Sequence, residues 1–284
     1  MSVLRLLLHG LIAIASPADA SQSGVLDLWW FPYGEVEERS ELFAAYAALL
    51  TQEEQARHER LRFERDKRQF LATRALVRTV LSFYSPDVAP TAWRFAIGDR
   101  GKPSISEPIA ARGWQFNLSN TRGCVVCAVS GVHARLGVDV ERLDRANDLL
   151  ALADRYFSAL EVAELRGLPH SEQSSRFFDY WTLKESYIKA HGLGLAIPLD
   201  SFSFLLGAHS QGRGPSPTAN ATIDETTTSS IGIEFDSRRD DVPDRWSFAL
   251  IDGPPRFRVA VALETCGSRL TLRARRFIPL LSEP

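Results

Sequence analysis

Apolar and polar positions alternate in a way that predicts short strands and a few helices. The run GVLDLWWFPYG, from Gly24 to Gly34, predicts a first strand that ends in a Pro/Gly turn. The stretch LTQEEQARHERLRFERDKRQFLATRALVRTVLSFY predicts one long helix, because apolar residues recur every seven positions from Phe63 to Tyr84. Thr51 and Glu54 have the spacing of a capping box at its start.

The middle of the chain changes from strands to helices. AWRFAIGDRGKPSI predicts a strand that runs into a Gly-Lys-Pro turn. WQFNLSNTRGCVVCAVSG and ARLGVDVERL are strand-like, and we expect them to join as a hairpin near Gly131. Three helices follow, in DLLALADRYF, SALEVAELRGL and SSRFFDYWTLKESYIKAHG, the last capped by Gly192. The remainder, with RWSFALI, FRVAVALET and RLTLRARRF, is strand-like.

This order of elements predicts an α+β protein. The order strand–helix–strand–strand occurs on both sides of about residue 135, so we expect two similar α/β subdomains that pack together. We divide the chain into an N-terminal extension (1–23), an N-terminal subdomain (24–134) and a C-terminal subdomain (135–284). Residues 207–230 are rich in Gly, Ser, Thr, Pro and Asn and predict a mobile loop.

Composition excludes some functions. Hydrophobic residues make up 45% of the 284 residues, enough to build a core without disulfides. The net charge of −2 gives no general basic field for nucleic acid, so a polyanion site must be a local patch. The three cysteines fit a reducing compartment. Cys124 and Cys127 lie three apart on a predicted strand and point to opposite faces, which disfavours a metal site.

Two carboxylates interrupt the apolar pattern of LGVDVERL. Asp139 and Glu141 are two apart on a predicted strand, so both face one way while Val138 and Val140 face the other. Like charges side by side repel, and a cation relieves that repulsion. The alternative is an acidic strand end in solvent, where both side chains are hydrated.

A third carboxylate lies on the helix around YWTLKESYIK. Trp181, Lys184, Glu185 and Ile188 have the spacing of one helix face. Burial of that face carries Glu185 towards the interior or a cleft. The alternative is a surface ion pair between Glu185 and Lys189. With the strand carboxylates, Glu185 would make an all-oxygen site of the kind that suits Mg²⁺, and the flanking lysines would meet phosphate oxygens.

These stretches together resemble a known family. FNLSN, GVDVER, RYFSALE and FFDYWTLKESYIKAHGLGL follow one another in the order of the 4′-phosphopantetheinyl transferases of the surfactin-synthetase-activating (Sfp) type, downstream of a similar Gly-Lys-Pro turn. The resemblance covers 24–204. It implies two pseudo-symmetrically packed subdomains with the active site in the cleft between them. The implied reaction moves 4′-phosphopantetheine from coenzyme A to a carrier-protein serine and releases 3′,5′-ADP.

The resemblance also implies roles for particular residues. Mg²⁺ would be held by Asp139, Glu141 and Glu185. Catalysis would involve Glu185, Lys189 and Glu161, and the base could be Glu185, Glu161 or a metal-bound water. Glu161 has a competing role, since Ser158 and Glu161 also have the spacing of a capping box. The implied coenzyme A contacts are Lys67, Arg68, Arg74, Lys102, Pro103, Ser119, Asn120, Lys184 and Lys189.

Two features qualify these roles. The basic helix could instead present a solvated face without any phosphate contact. Many relatives carry His after N-x-S, whereas this chain has Asn120, an uncharged hydrogen-bond donor.

The expected partners are coenzyme A and apo carrier domains of polyketide, peptide or fatty-acid synthases, with no nucleic acid and no membrane. We expect a monomer, because two packed subdomains complete the cleft. Residues 1–23 resemble a secretory signal, but coenzyme A and apo carriers are cytoplasmic, so we expect cytoplasmic retention. The alternatives are a metal-dependent phosphohydrolase and a non-catalytic coenzyme A-binding module.

Overall fold

The computed structural model describes residues 24–98, 100–111, 113–131, 135–144, 148–207, 221–224, 231–253 and 256–282. The predicted N-terminal extension therefore lies outside the described residues. The helices are α1 Ser40–Ala47, α2 Gln52–Glu59, α3 Glu64–Tyr84, α4 Leu149–Tyr156, α5 Ala159–Gly167 and α6 His170–His191. The strands are β1 Val25–Phe31, β2 Arg94–Ile97, β3 Pro103–Glu107, β4 Gln115–Thr121, β5 Cys124–Ser130, β6 Leu136–Arg142, β7 Phe202–Leu205, β8 Ala221–Asp224, β9 Gly232–Phe235, β10 Trp246–Asp252, β11 Phe257–Glu264 and β12 Thr271–Arg276.

Two sheets and two long helices form four layers, which confirms the predicted α+β class. A five-stranded sheet has the order β4-β5-β1-β12-β8, and a three-stranded sheet has the order β10-β11-β6. Helix α3 packs on the first sheet, and α6 packs on the second. The two sheets pack against each other through a third apolar core.

Alternation along β1 shows how each sheet serves two cores. Trp29 and Phe31 point towards α3, whereas Leu28 and Trp30 point towards the second sheet. Every residue of β1 is buried, because the strand is covered on both faces. Its one charged residue, Asp27, is neutralised by Arg273 on the neighbouring strand β12.

The chain returns to its first sheet at its C-terminal end. Strand β12 lies parallel to β1 and is hydrogen-bonded to it, so residues after about 270 join the sheet of the first half. The subdomain boundary at 134/135 stays a prediction, and this pairing shows that the second half does not form a separate sheet system. The predicted loop 207–230 contains β8, which pairs with β12; 208–220 and 225–230 lie outside the described residues.

The predicted hairpin at Gly131 is wrong. Strand β4 pairs with β5 through a turn at Gly123, and β6 pairs instead with β11 in the other sheet. Adjacent strand-like segments give no information on which sheet each one joins, and here the chain crosses from one sheet to the other between β5 and β6.

The predicted long helix is two helices. Helix α2 ends at Glu59, and α3 begins at Glu64 after Phe63, whose backbone is extended and whose side chain is 48% exposed. The apolar stripe therefore begins inside α3. Both predicted capping boxes are present, at Thr51 with Glu54 and at Ser158 with Glu161.

Cys124 lies in the core between the sheets, and Cys127 lies in the core under α3, so the two thiols point to opposite faces of β5. Burial raises the pKa of both thiols far above the usual range. Neither is suited to ligate a metal as a thiolate. No helix in the described part of the chain is long and apolar enough to cross a membrane.

Candidate active site

Two acidic side chains of β6 lie on the face that α6 covers. Asp139 and Glu141 are two residues apart on the strand and share that face. Val138 and Val140 point the other way, into the core between the sheets. Asp139 is only 4% exposed, and Glu141 is partly exposed near the end of the strand. Asp139 is therefore not the hydrated strand end of the alternative interpretation.

Helix α6 contributes a carboxylate and an ammonium group to the same place. Glu185 and Lys189 lie one turn apart and are both partly buried, whereas the intervening residues from Ser186 to Ile188 are buried. Burial raises the pKa of Glu185 to about 7. The negative charges of Asp139 and Glu141 add to this rise, and the positive charge of Lys189 opposes it. The three carboxylates thus lie within electrostatic reach of one another.

The ammonium group of Lys189 contacts the carboxylate of Asp139 on β6. Its Nζ donates to Asp139 Oδ1 at 2.6 Å and to Ser119 Oγ at 2.8 Å. The hydroxyl of Ser119 in turn donates to Asp139 Oδ1 at 2.9 Å. This three-residue contact joins β4, β6 and α6 at a point where the two halves of the chain meet.

The donor set fits a hard divalent cation. Asp139 Oδ2 is buried and accepts no hydrogen bond, and burial together with the negative charge of Asp139 raises the pKa of Glu185. Carboxylate oxygens are the ligands that Mg²⁺ prefers. Among the described residues, no set of three or more His, Cys, Asp or Glu side chains is already arranged around a metal position. The carboxylate of Asp139 contacts the ammonium group of Lys189 instead.

Comparison with known proteins decides the family. The model of the 4′-phosphopantetheinyl transferase superfamily matches residues 135–247, and that of the 4′-phosphopantetheinyl transferase N-terminal region matches 36–131. The 4′-phosphopantetheinyl transferase HetI of Nostoc sp. is 37% identical over 174 residues, which are 61% of this chain and 71% of that protein. The chain belongs to the 4′-phosphopantetheinyl transferase superfamily.

Other relatives agree. The 4′-phosphopantetheinyl transferase Sfp of Bacillus subtilis is 33% identical over 171 residues, 60% of this chain and 71% of that protein. A phosphopantetheinyl transferase of Thraustochytrium sp. is 30% identical over 195 residues, 64% of each chain. The resemblance identified from the sequence is confirmed, and with it the enzyme class.

Within this transferase, Lys184 and Glu161 lie apart from the carboxylates in a buried pair. Both side chains are 0% exposed, and Lys184 Nζ is 2.8 Å from Glu161 Oε2. Lys184 also donates to the carbonyls of Leu199 and Phe202, both at 2.7 Å. These contacts occupy all three N–H groups of the ammonium, so the geometry contradicts a phosphate contact by Lys184.

Glu161 is similarly engaged. Its Oε2 accepts from the backbone and hydroxyl of Ser158 as well as from Lys184, and its Oε1 accepts from the N–H of Phe204 at 2.9 Å. The carboxylate caps α5 and ties it to β7. The capping interpretation therefore accounts for Glu161, and a direct catalytic role does not fit this geometry.

Lys102 links the β2–β3 turn to the second half of the chain. Its Nζ donates to the carbonyls of Leu136 at 3.0 Å and Ala190 at 2.9 Å, the latter in the last turn of α6. Burial lowers the pKa of Lys102 to about 8, and the charge of Arg135 adds to that effect. Lys102 thus satisfies a helix C-terminus, contrary to the expected coenzyme A contact. Pro103 begins β3 beside it.

The basic residues of α3 each have an acidic or carbonyl partner. Lys67 pairs with Glu64 at 2.8 Å, and Arg68 donates to the carbonyl of Glu37 at 2.9 Å. Arg74 lies 3.3 Å from Glu54 with its side chain only 13% exposed. Arg74 is therefore held by α2 and does not present a free guanidinium. Lys67 and Arg68 are more exposed, and their phosphate contacts stay predictions.

Two polar residues near the site were missed in the sequence. Gln69 of α3 donates to the exposed amide of Asn120, the residue that replaces the usual His, and accepts from the hydroxyl of Tyr33 at 3.2 Å. Asn117 accepts from the N–H of Val138 at 2.9 Å. The alternation in FNLSN places Asn117 and Ser119 on one face of β4, and that signal could have identified Asn117.

Proposed function

We propose that this chain transfers the 4′-phosphopantetheine group of coenzyme A to a serine of an apo acyl or peptidyl carrier protein. The observation that supports this, beside family membership, is the gathering of Asp139, Glu141 and Glu185 next to Lys189. In the proposed step the serine oxygen bonds to the phosphorus that carries pantetheine. The bond from that phosphorus to the oxygen of the leaving nucleotide breaks, so 3′,5′-ADP takes the negative charge.

The proposed cation is Mg²⁺, held by Asp139, Glu141 and Glu185. The unpartnered Oδ2 of Asp139 supports this assignment, because a buried anionic oxygen without a donor is costly. When bound, the cation neutralises charge that develops on the pyrophosphate during transfer. The chain's own residues supply the remaining interactions.

Lys189 and Glu185 have separate roles in this proposal. The side chain of Lys189 is partly exposed, and in this proposal its ammonium donates to a phosphate oxygen. The base for the serine proton would be Glu185 or a water held by the cation; burial raises the pKa of Glu185 to about 7 in the protein without a cation. Glu161 is not proposed, because both of its oxygens already accept hydrogen bonds.

The proposed coenzyme A contacts are reduced to Lys67, Arg68, Pro103, Asn120 and Lys189. Lys184, Arg74, Lys102 and Ser119 are omitted because each is engaged in a buried or inter-element contact. We further propose a monomer, since the apolar core between the sheets already joins the two halves. We also propose a cytoplasmic protein, because coenzyme A and apo carriers are cytoplasmic. Export and cleavage after Ala20 would contradict the cytoplasmic assignment.

The test of this function is the mass of a carrier protein. The chain is incubated with coenzyme A, Mg²⁺ and an apo carrier, and both the carrier mass and the nucleotide products are recorded. We expect the carrier to gain one phosphopantetheine with an equal amount of 3′,5′-ADP. Release of inorganic phosphate without carrier modification would favour a phosphohydrolase. Binding of coenzyme A without either product would favour a non-catalytic module.

A further inference from the structure

The outer edge of β6 is closed by side chains of β4. In the described part of the chain, β6 is the last strand of its sheet, so one of its edges has no partner strand. On that edge the N–H of Val138 donates to Asn117 Oδ1 at 2.9 Å. The N–H of Val140 donates to Ser119 Oγ at 3.3 Å. Two side chains thus replace the missing strand.

The position of these bonds matters because Asp139 lies between them. In an antiparallel ladder, alternate residues direct their N–H groups towards the partner strand. Val138 and Val140 direct theirs to β4, so the residue between them directs its own towards β11, where Asp139 is opposite Ala260. The backbone of Asp139 is consequently held from both edges of the strand.

Ser119 also acts on the carboxylate itself. Its hydroxyl donates to Asp139 Oδ1 at 2.9 Å while it accepts from Val140 and Lys189. Both Asn117 and Ser119 are nearly buried, at 4% and 5% exposure, so water does not readily replace them. Oδ1 is thereby held and Oδ2 is left without a hydrogen bond.

We propose that Asn117 and Ser119 are positioning residues that orient Asp139 for the cation. Asn117 acts through the backbone of Val138, and Ser119 acts through Val140 and Oδ1. The first sheet thereby fixes a carboxylate that belongs to the second sheet. This inference rests on the proposed function, since it assigns the residues to the cation site described there. Partners that orient a ligand commonly change metal affinity by about 10- to 100-fold when they are lost.

The experiment measures binding of Mn²⁺ alone to the free protein, by electron paramagnetic resonance, at one pH. The variants are Asn117→Ala, Ser119→Ala, Ser119→Thr and both alanines together. Ser130→Ala is the matched control, because Ser130 is also a buried strand serine, bonded to the carbonyl of Val25 outside the site. Urea unfolding checks that each variant is folded. Ser119→Cys replaces the alanine variant if that one is not.

We expect Asn117→Ala and Ser119→Ala each to weaken Mn²⁺ binding about tenfold or more. Ser119→Thr, which keeps the hydroxyl, should bind nearly as tightly as wild type, and Ser130→Ala should lose stability without losing Mn²⁺. The double alanine variant should lose less than the product of the single losses, because both residues act on one strand segment. Wild-type affinity in the alanine variants, or an equal loss in Ser130→Ala, overturns the positioning role. Absence of Mn²⁺ binding by wild type overturns the cation site itself.

Discussion

The charge balance at Asp139 depends on one ammonium group. Lys189 donates to Asp139 Oδ1 at 2.6 Å and so already balances part of the charge that a cation at Oδ2 would balance. On the proposed function, Lys189 would therefore oppose binding of the cation and would also donate to a phosphate oxygen during transfer. These two effects have opposite consequences for a variant without the ammonium.

The variant Lys189→Met should separate the effect of the ammonium on cation binding from its effect on phosphate. Binding of Mn²⁺ to the free protein should tighten by roughly three- to tenfold, because a competing positive charge is removed. Transfer from coenzyme A should fall, because the phosphate loses a charge-assisted donor that contributes roughly 1.5–3 kcal/mol. Manganese titration and the transfer rate at saturating metal measure the two effects. Weaker Mn²⁺ binding in this variant would contradict the competition.

We expect loss of the ammonium group at Lys184 to lower the stability of the fold, unlike its loss at Lys189. Lys184→Met leaves the carboxylate of Glu161 buried without its cation, and breaking such a pair typically costs about 3–5 kcal/mol of unfolding free energy. Urea denaturation of Lys184→Met measures the loss, and Lys184→Met with Glu161→Gln should recover part of it. Normal stability with weakened coenzyme A binding would instead restore the phosphate role.

Part of this residue-scale arrangement is readable in the sequence. The alternation around Asp139 and Glu141 and the spacing of Glu185 and Lys189 are local, so they predict which carboxylates share a site. The orientation of the Lys184 side chain cannot be predicted from nearby residues. It depends on the backbone carbonyls of Leu199 and Phe202, which lie next to α6 only in the folded chain.

At the scale of elements, two arginines of α3 bind neighbouring elements and do not form a free basic surface. Arg74 and Arg78 both contact Glu54, which belongs to the capping box of α2, and Arg78 also donates to the carbonyls of Pro90 and Trp93. Helix periodicity predicts that such residues lie along one flank. It does not reveal that the acid they meet belongs to the preceding helix.

Arg74→Ala should therefore act on stability. We expect a loss of roughly 1–3 kcal/mol in unfolding free energy, because Glu54 loses a largely buried partner. Dissociation constants for coenzyme A and 3′-dephospho-coenzyme A should change equally. Lys67→Ala is the comparison variant from the more exposed end of α3. A selective loss of affinity for coenzyme A in Arg74→Ala would show that the guanidinium reaches the 3′-phosphate.

The β2–β3 turn is attached to the second half of the chain through Lys102, and the contribution of this residue to stability should depend on pH. Burial lowers the pKa of Lys102 to about 8 from an ordinary value of 10.5. Between these values the unfolded chain binds more protons than the folded one, so this group makes the unfolding free energy rise with pH. Below about pH 8 the group is charged in both states and contributes no slope.

Wild type and Lys102→Met are compared by urea denaturation from pH 7 to pH 10. The unfolding free energy of wild type relative to the variant should be flat near pH 7 and should increase above about pH 8. A flat difference across the whole range would mean that Lys102 has the same pKa in both states. The test does not involve coenzyme A, so it reports on the inter-half contact alone.

At the scale of the whole molecule, larger features also join the two halves in the described part of the chain. A core lies between the sheets, β12 returns to β1, and side chains of β4 close the edge of β6. Element order in the sequence predicts two helix-and-sheet layers correctly. The return of β12 and the crossing from β5 to β6 are not predicted, because strand patterns are the same whichever sheet a strand joins.

The central claim is that Asp139 and Glu185, brought together from different elements, hold the cation that supports transfer. The most direct measurement is the rate of holo-carrier formation as a function of Mg²⁺ concentration for wild type, Asp139→Ala and Glu185→Ala, with Glu141→Ala for comparison and Ser130→Ala as control. We predict saturable Mg²⁺ dependence in wild type and Ser130→Ala, and a milder loss in Glu141→Ala because a water can replace one Mg²⁺ ligand. Asp139→Ala and Glu185→Ala should be folded and show no transfer at any concentration. Full transfer by either of these two variants, or transfer by wild type that is unaffected by removing the metal, would contradict the account.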